Sequence, residues 1–200
     1  MARDRQRPGR RRILDAAGRL FYEQGVHSVG VDSVIEAAGV AKMTLYRNFA
    51  SKAELVAAYL AERDVRWRTE FEARLAGAGV EPVARVGMVF DVLGEWFDSP
   101  DFHGCAFIRA SAENTDEVVQ AAIVRHKQWF REFLRGLLLD ADVAEPDLVA
   151  EQLFVLVEGA MVIAAMEGRS VVADHARQAA ERLVADARVA TSRVTVLSQE

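Results

Sequence analysis

One segment, residues 30–52 (GVDSVIEAAGVAKMTLYRNFASK), constrains the fold more than any other part of the chain. Val34 lies three residues before Ala37 and four before Ala38, which places it on one apolar face of a helix with either of them. Gly39 follows, and glycine commonly ends a helix because it adopts the left-handed conformation at little cost. The pattern therefore predicts a first short helix from Val31 to Ala38 that ends at this glycine.

A second short helix, from about Lys42 to Phe49, is predicted after the turn. Its Leu45 and Phe49 are four residues apart and can pack on the first helix. The other side chains face outward, with many hydrogen-bond donors, two positive charges and no negative charge. They are Lys42, Met43, Thr44, Tyr46, Arg47 and Asn48. A helix-turn-helix places such a face in the major groove of DNA, so the pattern predicts that this helix binds DNA.

This segment resembles the DNA-binding motif of the tetracycline-repressor (TetR) family. The matching residues are Ala38-Gly39-Val40, Leu45-Tyr46, Phe49, Lys52, Glu54 and Leu55. The segment departs from the family pattern at Gly30 and Ala41 (usually Ser or Thr), at Ile35 (usually Ala) and at Met43 (usually a small residue). Because a Ser or Thr cap contributes roughly 1 kcal/mol, Ala41 is expected to leave the second helix without that stabilisation.

The resemblance implies an all-α protein of about nine helices with two domains. Residues 1–52 would form the DNA-binding head, with a basic arm at 1–9 and the helix-turn-helix at 30–49. Residues 53–200 would form the effector-binding and dimerisation domain, which a long helix joins to the head. The composition agrees with an all-helical chain, since Pro is rare and Ala, Leu, Val, Glu and Arg dominate.

Three side chains of the second helix can hydrogen-bond base edges: Thr44, Arg47 and Asn48. Arg favours guanine and Asn favours adenine, and each good pair discriminates by about 1–3 kcal/mol. The sequence does not fix which of them contacts a base and which a phosphate.

Other contacts follow from the resemblance alone. It implies that Tyr46 and Lys52 contact phosphates, so that they position the head without specifying the site. It also implies that Arg11 or Arg12 points toward the phosphate backbone. For Tyr46, packing at the edge of the helix is the alternative.

Charge is distributed unevenly along the chain. Residues 1–52 hold ten Lys or Arg and five Asp or Glu, whereas residues 53–200 hold fifteen and twenty-five. The whole chain carries a net charge of −5. A basic head on an acidic body fits a head that neutralises phosphates.

The remaining helices are predicted from apolar periodicity and from helix-breaking residues. The first helix is expected at Arg10 to Gln24, and Ser51 with Glu54 has the spacing of a capping box. The later helices are expected at about 51–75 (ended by Gly77-Ala78-Gly79), 82–97, within 102–114, and at 116–139, 147–167 and 170–188, followed by a frayed tail at 191–200.

Small and apolar residues on the last two helices predict a dimer surface, mainly by resemblance. These residues are Leu156, Gly159, Ala160, Ile163 and Leu183. A twofold dimer would present two heads to the same face of DNA, so the operator would be a pseudo-palindrome. The alternative is that these helices are buried only against their own chain.

Aromatic residues and methionines in the second domain are candidates for an effector pocket. They are Trp96, Phe97, Phe102, Phe107, Trp129, Phe130, Phe133, Met161 and Met166. At helical spacing most such residues form ordinary core, but the resemblance implies a pocket for a small apolar or aromatic molecule.

The sequence contains no catalytic motif and no metal-type Cys/His cluster, so we expect neither an enzyme nor a cofactor. Cys105 is the single cysteine, which fits a reducing, cytoplasmic compartment, and we expect it to be a buried inert thiol in preference to a redox switch. His103, His126 and His175 are expected at the surface or as caps. No apolar stretch is expected to reach the length needed to span a bilayer.

The sequence therefore predicts a ligand-responsive transcriptional repressor that binds operator DNA as a homodimer and is released by a small molecule. The main alternative is an architectural protein that binds DNA without regard to sequence. An enzyme built on a helical bundle is a third interpretation, but it would need a convergent polar cluster that the sequence does not show.

Overall fold

The computed structural model describes residues 8–76 and 80–197, with side chains as far as Arg188. Nine α-helices and no strands make up the secondary structure of these residues, which confirms the predicted all-α fold. The helices are α1 Pro8–Gln24, α2 Val31–Ala38, α3 Lys42–Asn48, α4 Lys52–Leu75, α5 Pro82–Phe97, α6 Ala106–Glu113, α7 Glu117–Asp140, α8 Pro146–Glu167 and α9 Val172–Leu197.

Two helices extend beyond their predicted bounds by two residues or more. Helix α1 begins at Pro8 instead of Arg10, since proline is already fixed in a helical φ at the first turn. Helix α9 continues to Leu197, so the expected frayed tail from Thr191 was wrong for residues 191–197. No Gly or Pro interrupts that stretch. The arm residues 1–7, the predicted helix end at residues 77–79 and the last residues 198–200 lie outside the described part.

Contacts divide the described chain into two compact units. One unit takes the residues up to Arg68 together with Ala106–His126. The other takes Thr69–Cys105 and the residues from Lys127 onward. Helices α4 and α7 therefore each contribute residues to both units. The predicted functional boundary at Ala53 is a separate hypothesis and stays a prediction.

The first unit is built around the contacts of α1 with α2 and α3. Its core contains the apolar residues whose spacing predicted the helices. The described residues of this unit with no exposed surface are Ile13, Ala17, Val34, Leu45, Leu55, Val56, Leu60, Ala110 and Val119. Because α2 and α3 are each short, their packing on α1 is what orients α3.

The second unit is built on α5, α8 and α9, which contact one another. Its core is formed by large apolar side chains, including Val89, Phe90, Leu93, Leu134, Leu138, Leu153 and Val157. Gly87 on α5 allows close approach, because a Cβ there would lie 3.1 Å from Nε of Arg177 on α9.

Helix α8 is long and apolar enough, by length and composition alone, to cross a membrane. The expectation that no stretch reaches that length was therefore wrong. Less than half of its most apolar window, 44%, is buried against the rest of the chain. Its buried residues, such as Leu153 and Val157, belong to the core of the second unit. Its apolar character is therefore partly that of a core helix.

Candidate DNA-binding surface and associated sites

The turn between α2 and α3 is fixed at Gly39. This residue has φ +59° and ψ +43°, and its N–H donates to the carbonyl of Glu36 at 3.1 Å. The guanidinium of Arg12 on α1 donates to the carbonyl of Gly39 at 3.2 Å. The turn is thereby tied to α1, and α3 leaves it in a defined direction.

Helix α3 has one inward side and one outward side. Leu45 and Phe49 are buried on the inward side, at the four-residue spacing that predicted the helix. Met43 and Tyr46 are 63% and 43% exposed, and Arg47 is exposed as well. The outward side therefore presents an apolar, an aromatic and a cationic side chain to solvent.

Several polar groups of α3 are already engaged within the protein. Thr44 and Asn48 are half-buried, and Nδ2 of Asn48 donates to the carbonyl oxygen of Thr44 at 2.7 Å. The ammonium of Lys42 pairs with Asp32 on α2 at 3.2 Å. For Lys42 and for the amide nitrogen of Asn48, contact with DNA would require these bonds to be exchanged.

The first turns of α1 carry arginines with different partners. Arg11 forms ion pairs with Asp15 at 2.8 Å and Glu62 at 2.9 Å. The hydrogen bond to Asp15 and the charges of both carboxylates raise the pKa of Arg11. Arg12 is exposed but holds the α2–α3 turn, and Arg10 lies 5.3 Å from the centre of the Phe49 ring. Arg11 and Arg12 thus have structural partners, and their predicted phosphate contacts stay predictions.

Lys52 is the first residue of α4 and is half-buried. The Oγ of Ser51 accepts a hydrogen bond from the Glu54 N–H at 3.1 Å, as the capping-box spacing predicted. The Glu54 carboxylate accepts from the N–H of Ala50, one residue before the cap, at 2.8 Å. The start of α4 is well defined, and its N-terminal amides favour an anion beside Lys52.

Helix α6 is hydrogen-bonded to the end of α1 and to the turn that follows it. The guanidinium of Arg109 donates to the carbonyl of Tyr22 at 2.6 Å, and the carboxylate of Glu113 accepts from the His27 N–H at 2.8 Å. Gly25 has φ +91°, and a Cβ there would lie 3.0 Å from the Glu113 carboxylate. These contacts explain why α6 belongs to the unit that holds the helix-turn-helix.

A buried charged cluster in the first unit was missed by the sequence analysis. His126 is buried, so its expected surface or capping role was wrong. Its Nδ1 donates to Oδ1 of Asp64 at 2.6 Å, and Arg68 pairs with Oδ2 of Asp64 at 2.6 Å. The ring of Phe107 stacks on His126 with 3.7 Å between centroids. Asp64 and His126 are 62 residues apart, so no local pattern could have indicated the pair.

Helix α8 exposes a row of large apolar side chains, which we call the α8 stripe. Leu148, Val155 and Val162 are spaced seven residues apart and are all exposed. Gly159 lies between the latter two, and a Cβ there would have no atom within 4 Å. Met166, one turn beyond, is 79% exposed.

The five predicted dimer residues differ in exposure. Gly159 and Ile163 are exposed, Leu156 and Leu183 are half-buried, and Ala160 is buried within its own chain. Gly159 and Ile163 are therefore available to a partner, whereas Ala160 is not.

The effector candidates fall into separate clusters. In the second unit, Trp96 and Phe97 contact Phe102 with ring centroids 4.9 and 5.1 Å apart. A second cluster in the same unit joins the rings of Phe71, Trp129, Phe130, Phe133 and Phe154. Met161 is buried and Met166 is exposed. Phe107 is engaged with His126 in the first unit, so the nine residues do not form one continuous lining.

Cys105 is buried, and the ammonium of Lys127 lies 4.0 Å from its sulfur. That ammonium is paired with the Glu158 carboxylate at 2.5 and 2.7 Å. Among the residues that the structure describes, no group of three or more His, Cys, Asp or Glu could hold a metal ion.

The family described as "Bacterial regulatory proteins, tetR family" matches residues 13–59. A solved TetR-family transcriptional regulator from Streptomyces coelicolor is 30% identical, with a TM-score of 0.79. That match covers 90% of this chain and 96% of the Streptomyces chain. The similarity therefore extends over both units and not only over the helix-turn-helix.

Curated relatives match to different extents. An uncharacterized HTH-type transcriptional regulator of Mycobacterium tuberculosis is 40% identical over 75 residues, which are 38% of this chain and 37% of that protein. The chain thus spans little more than a third of that relative's length. The HTH-type transcriptional repressor DhaR of Mycobacterium sp. strain GP1 is 27% identical over 165 residues, which are 78% of this chain and 81% of DhaR.

Proposed function

The chain belongs to the TetR family of transcriptional regulators, with a DNA-binding helix-turn-helix, and from that premise we propose that it is a ligand-responsive repressor. It binds a pseudo-palindromic operator as a homodimer, and a small apolar or aromatic molecule releases it. With chromosomal DNA as the partner, its location is the cytoplasm. DhaR, which is similar along most of its length, carries the name of a repressor.

The outward side of α3 carries this proposal. Arg47 and Tyr46 are exposed there, and Lys52 at the start of α4 adds a third group suited to contact with the phosphodiester backbone or the bases. Residues 1–52 supply the excess positive charge that attracts a polyanion. Base edges in the major groove would be read by Arg47, and Tyr46 and Lys52 would position the head.

The α8 stripe supports the homodimer. An exposed row of large apolar side chains commonly marks a protein interface, and Leu148, Val155 and Val162 form such a row. The bare backbone at Gly159 would let a symmetry-related helix approach closely. A twofold pair then sets two copies of α3 on one face of the duplex, which requires inverted half-sites.

The effector would bind in the second unit, where the two aromatic clusters lie. Trp96, Phe102, Trp129 and Phe133 are half-buried, so part of each ring is open to a ligand. A ligand that binds the DNA-competent and the DNA-incompetent conformation equally leaves the equilibrium between them unchanged. Coupling of about 1–3 kcal/mol would weaken operator binding 5–150-fold.

Binding to the DNA upstream of the protein's own gene, measured by fluorescence anisotropy with scrambled competitor, tests the proposal. Arg47→Ala should relax sequence preference, whereas Lys52→Ala should weaken all sequences alike and reduce the salt slope by about 1. Arg135→Ala, an exposed arginine on α7 paired with Asp147, is the control and should bind as the unchanged protein does. Equal competition by scrambled DNA would instead favour an architectural protein.

The effector proposal needs a separate measurement. Trp96 and Trp129 lie in different aromatic clusters, so loss of ligand-induced quenching of tryptophan fluorescence in Trp96→Phe or in Trp129→Phe assigns the ligand to that cluster. Quenching that persists in both variants would come from the third tryptophan, Trp67, which contacts His126. A panel of small aromatic compounds serves as the probe. A compound that quenches one cluster and also releases operator DNA would support the proposal, and release without quenching of either residue would place the effector elsewhere.

A further inference from the structure

The outward side of α3 has an apolar centre. At about 100° per residue, Met43 and Arg47 project within about 40° of each other, and both point away from the buried Leu45 and Phe49. Met43 is 63% exposed, more than Tyr46 on the flank of the same helix. A methionine and an arginine therefore occupy the part of the helix that would reach deepest into a major groove.

The flanking polar side chains of α3 already have partners within the protein. Lys42 is paired with Asp32, and the amide nitrogen of Asn48 donates to the Thr44 carbonyl. The methyl group of Thr44 lies against the first turn of α1, since a Cβ on Gly9 would come within 2.9 Å of it. Among the described side chains of α3, Met43 and Arg47 are thus the best placed to meet base edges directly.

The chemistry of these two side chains matches two different features of the major groove. The C5-methyl of thymine is the apolar group displayed there, and the flexible, polarizable thioether of methionine suits contact with it. Arginine pairs bidentately with O6 and N7 of guanine. Four residues of helix advance about 6 Å, which is close to the rise of two base pairs at about 3.4 Å each.

We propose that Met43 is a specificity-determining residue that reads the methyl group of a thymine lying within two base pairs of a guanine read by Arg47. This inference rests on the proposed function, because it assumes sequence-specific operator binding by α3. It assigns an apolar base contact to Met43, which has no role in hydrogen bonding to base edges.

Replacement of thymine by uracil tests the inference, because it removes the methyl group and leaves every hydrogen-bonding group in place. An operator is first recovered with the full-length protein from a random-sequence duplex pool. Each thymine of one half-site is then replaced in turn by uracil, and the affinity is measured by anisotropy. We expect one position near the guanine to lose about fourfold in affinity, as burial of one methyl group would give.

Two variants assign that loss to Met43. With Met43→Ala, binding to the thymine operator should weaken. The ratio of the affinity for the thymine operator to that for the uracil operator should fall to about 1 at that position. With Met43→Leu, which keeps an apolar side chain, the ratio should stay above about 2, since burial of the methyl group is retained. Because Met43 is exposed, circular dichroism should show both variants folded as the unchanged protein.

The outcomes separate this inference from the proposed function. If the pool yields an operator but every uracil position affects Met43→Ala as it affects the unchanged protein, the role of Met43 is wrong and the repressor proposal stands. If the pool yields no consensus sequence, sequence-specific binding itself is wrong and both proposals fall.

Discussion

The carboxylate of Asp64 lies buried between Arg68 on its own helix and His126 on α7. Burial alone would raise the pKa of Asp64, but the hydrogen bonds from His126 and Arg68 and their charges hold it below the ordinary 3.8. A depressed carboxyl pKa contributes stability above pH 3.8, and that contribution is lost as the pH falls through the lower folded-state pKa.

Asp64→Asn is therefore expected to lower the free energy of unfolding at pH 7 by about 1–3 kcal/mol, because it leaves buried donors without a charged acceptor. Urea unfolding followed by circular dichroism at several pH values measures this. The difference from the unchanged protein should shrink as the pH falls below the ordinary carboxyl pKa of 3.8. Asp15→Asn, at an exposed pair with Arg11, is the control and should cost less than about 1 kcal/mol. A difference that does not vary with pH would contradict the assignment.

Residue types and spacing could be read from the sequence, but individual bonds could not. The exposed face of α3 follows from where Leu45 and Phe49 fall. The internal bond of Asn48 does not, because an exposed amide and one bonded to the carbonyl four residues earlier have the same sequence pattern. The burial of His126 depends on Asp64, which comes from a different helix.

Helix α3 begins without a side-chain cap, as α2, α5 and α8 also do. Its N-cap is Ala41, with extended φ and ψ of −71° and 146° and no side-chain cap. Helix α4, by contrast, begins with the Ser51 hydroxyl accepting from the Glu54 N–H. The missing cap expected from the family resemblance is thus a real feature of the backbone, and a helix of seven residues depends on it more than a long one.

Ala41→Ser should raise the free energy of unfolding by about 1 kcal/mol, because the new hydroxyl can accept from an N–H in the first turn of α3. Thermal unfolding monitored by circular dichroism would detect this as a higher Tm. Ala76→Ser makes the same exchange at an exposed position just after the end of α4, where no helix begins, and should leave the Tm nearly unchanged. Equal shifts in the two variants would show that capping is not the cause.

Helix bounds were most predictable where glycine or proline marks them. Helix α2 ends before Gly39, and α5 spans the predicted Pro82–Phe97. The end of α9 was missed because nothing in residues 189–197 breaks a helix. The assignment of α6 to the first unit was also beyond the sequence, since it depends on Arg109 and Glu113 contacting residues more than eighty positions earlier.

At the scale of the whole molecule, the apolar stripe of α8 sets the assembly that we propose. Val155 is 67% exposed at its centre. Val155→Asp would place one unpaired carboxylate per protomer in the interface, which costs about 3 kcal/mol or more. We therefore expect the dissociation constant of the dimer to rise at least about 100-fold.

Analytical ultracentrifugation of Val155→Asp at micromolar concentration should show monomers. Operator affinity should fall as well, because the dimer is lost. Val124→Asp is the matched control, because Val124 is a similarly exposed valine, at 60%, on α7. It should sediment as the unchanged protein does. If Val155→Asp stays dimeric, α8 is not the interface.

The hydrogen bonds that join Arg109 and Glu113 to the end of α1 and the turn after it limit how such proteins can be truncated or combined into chimeras. The portion that folds around the helix-turn-helix is discontinuous along the chain, since a later segment returns to complete it. A chain truncated after α4 would deprive the Tyr22 carbonyl of its donor and the His27 amide of its acceptor. Exchange of the N-terminal DNA-binding segment alone between relatives should therefore yield poorly folded chimeras. Transfer of α6 from the same donor together with that segment should restore folding.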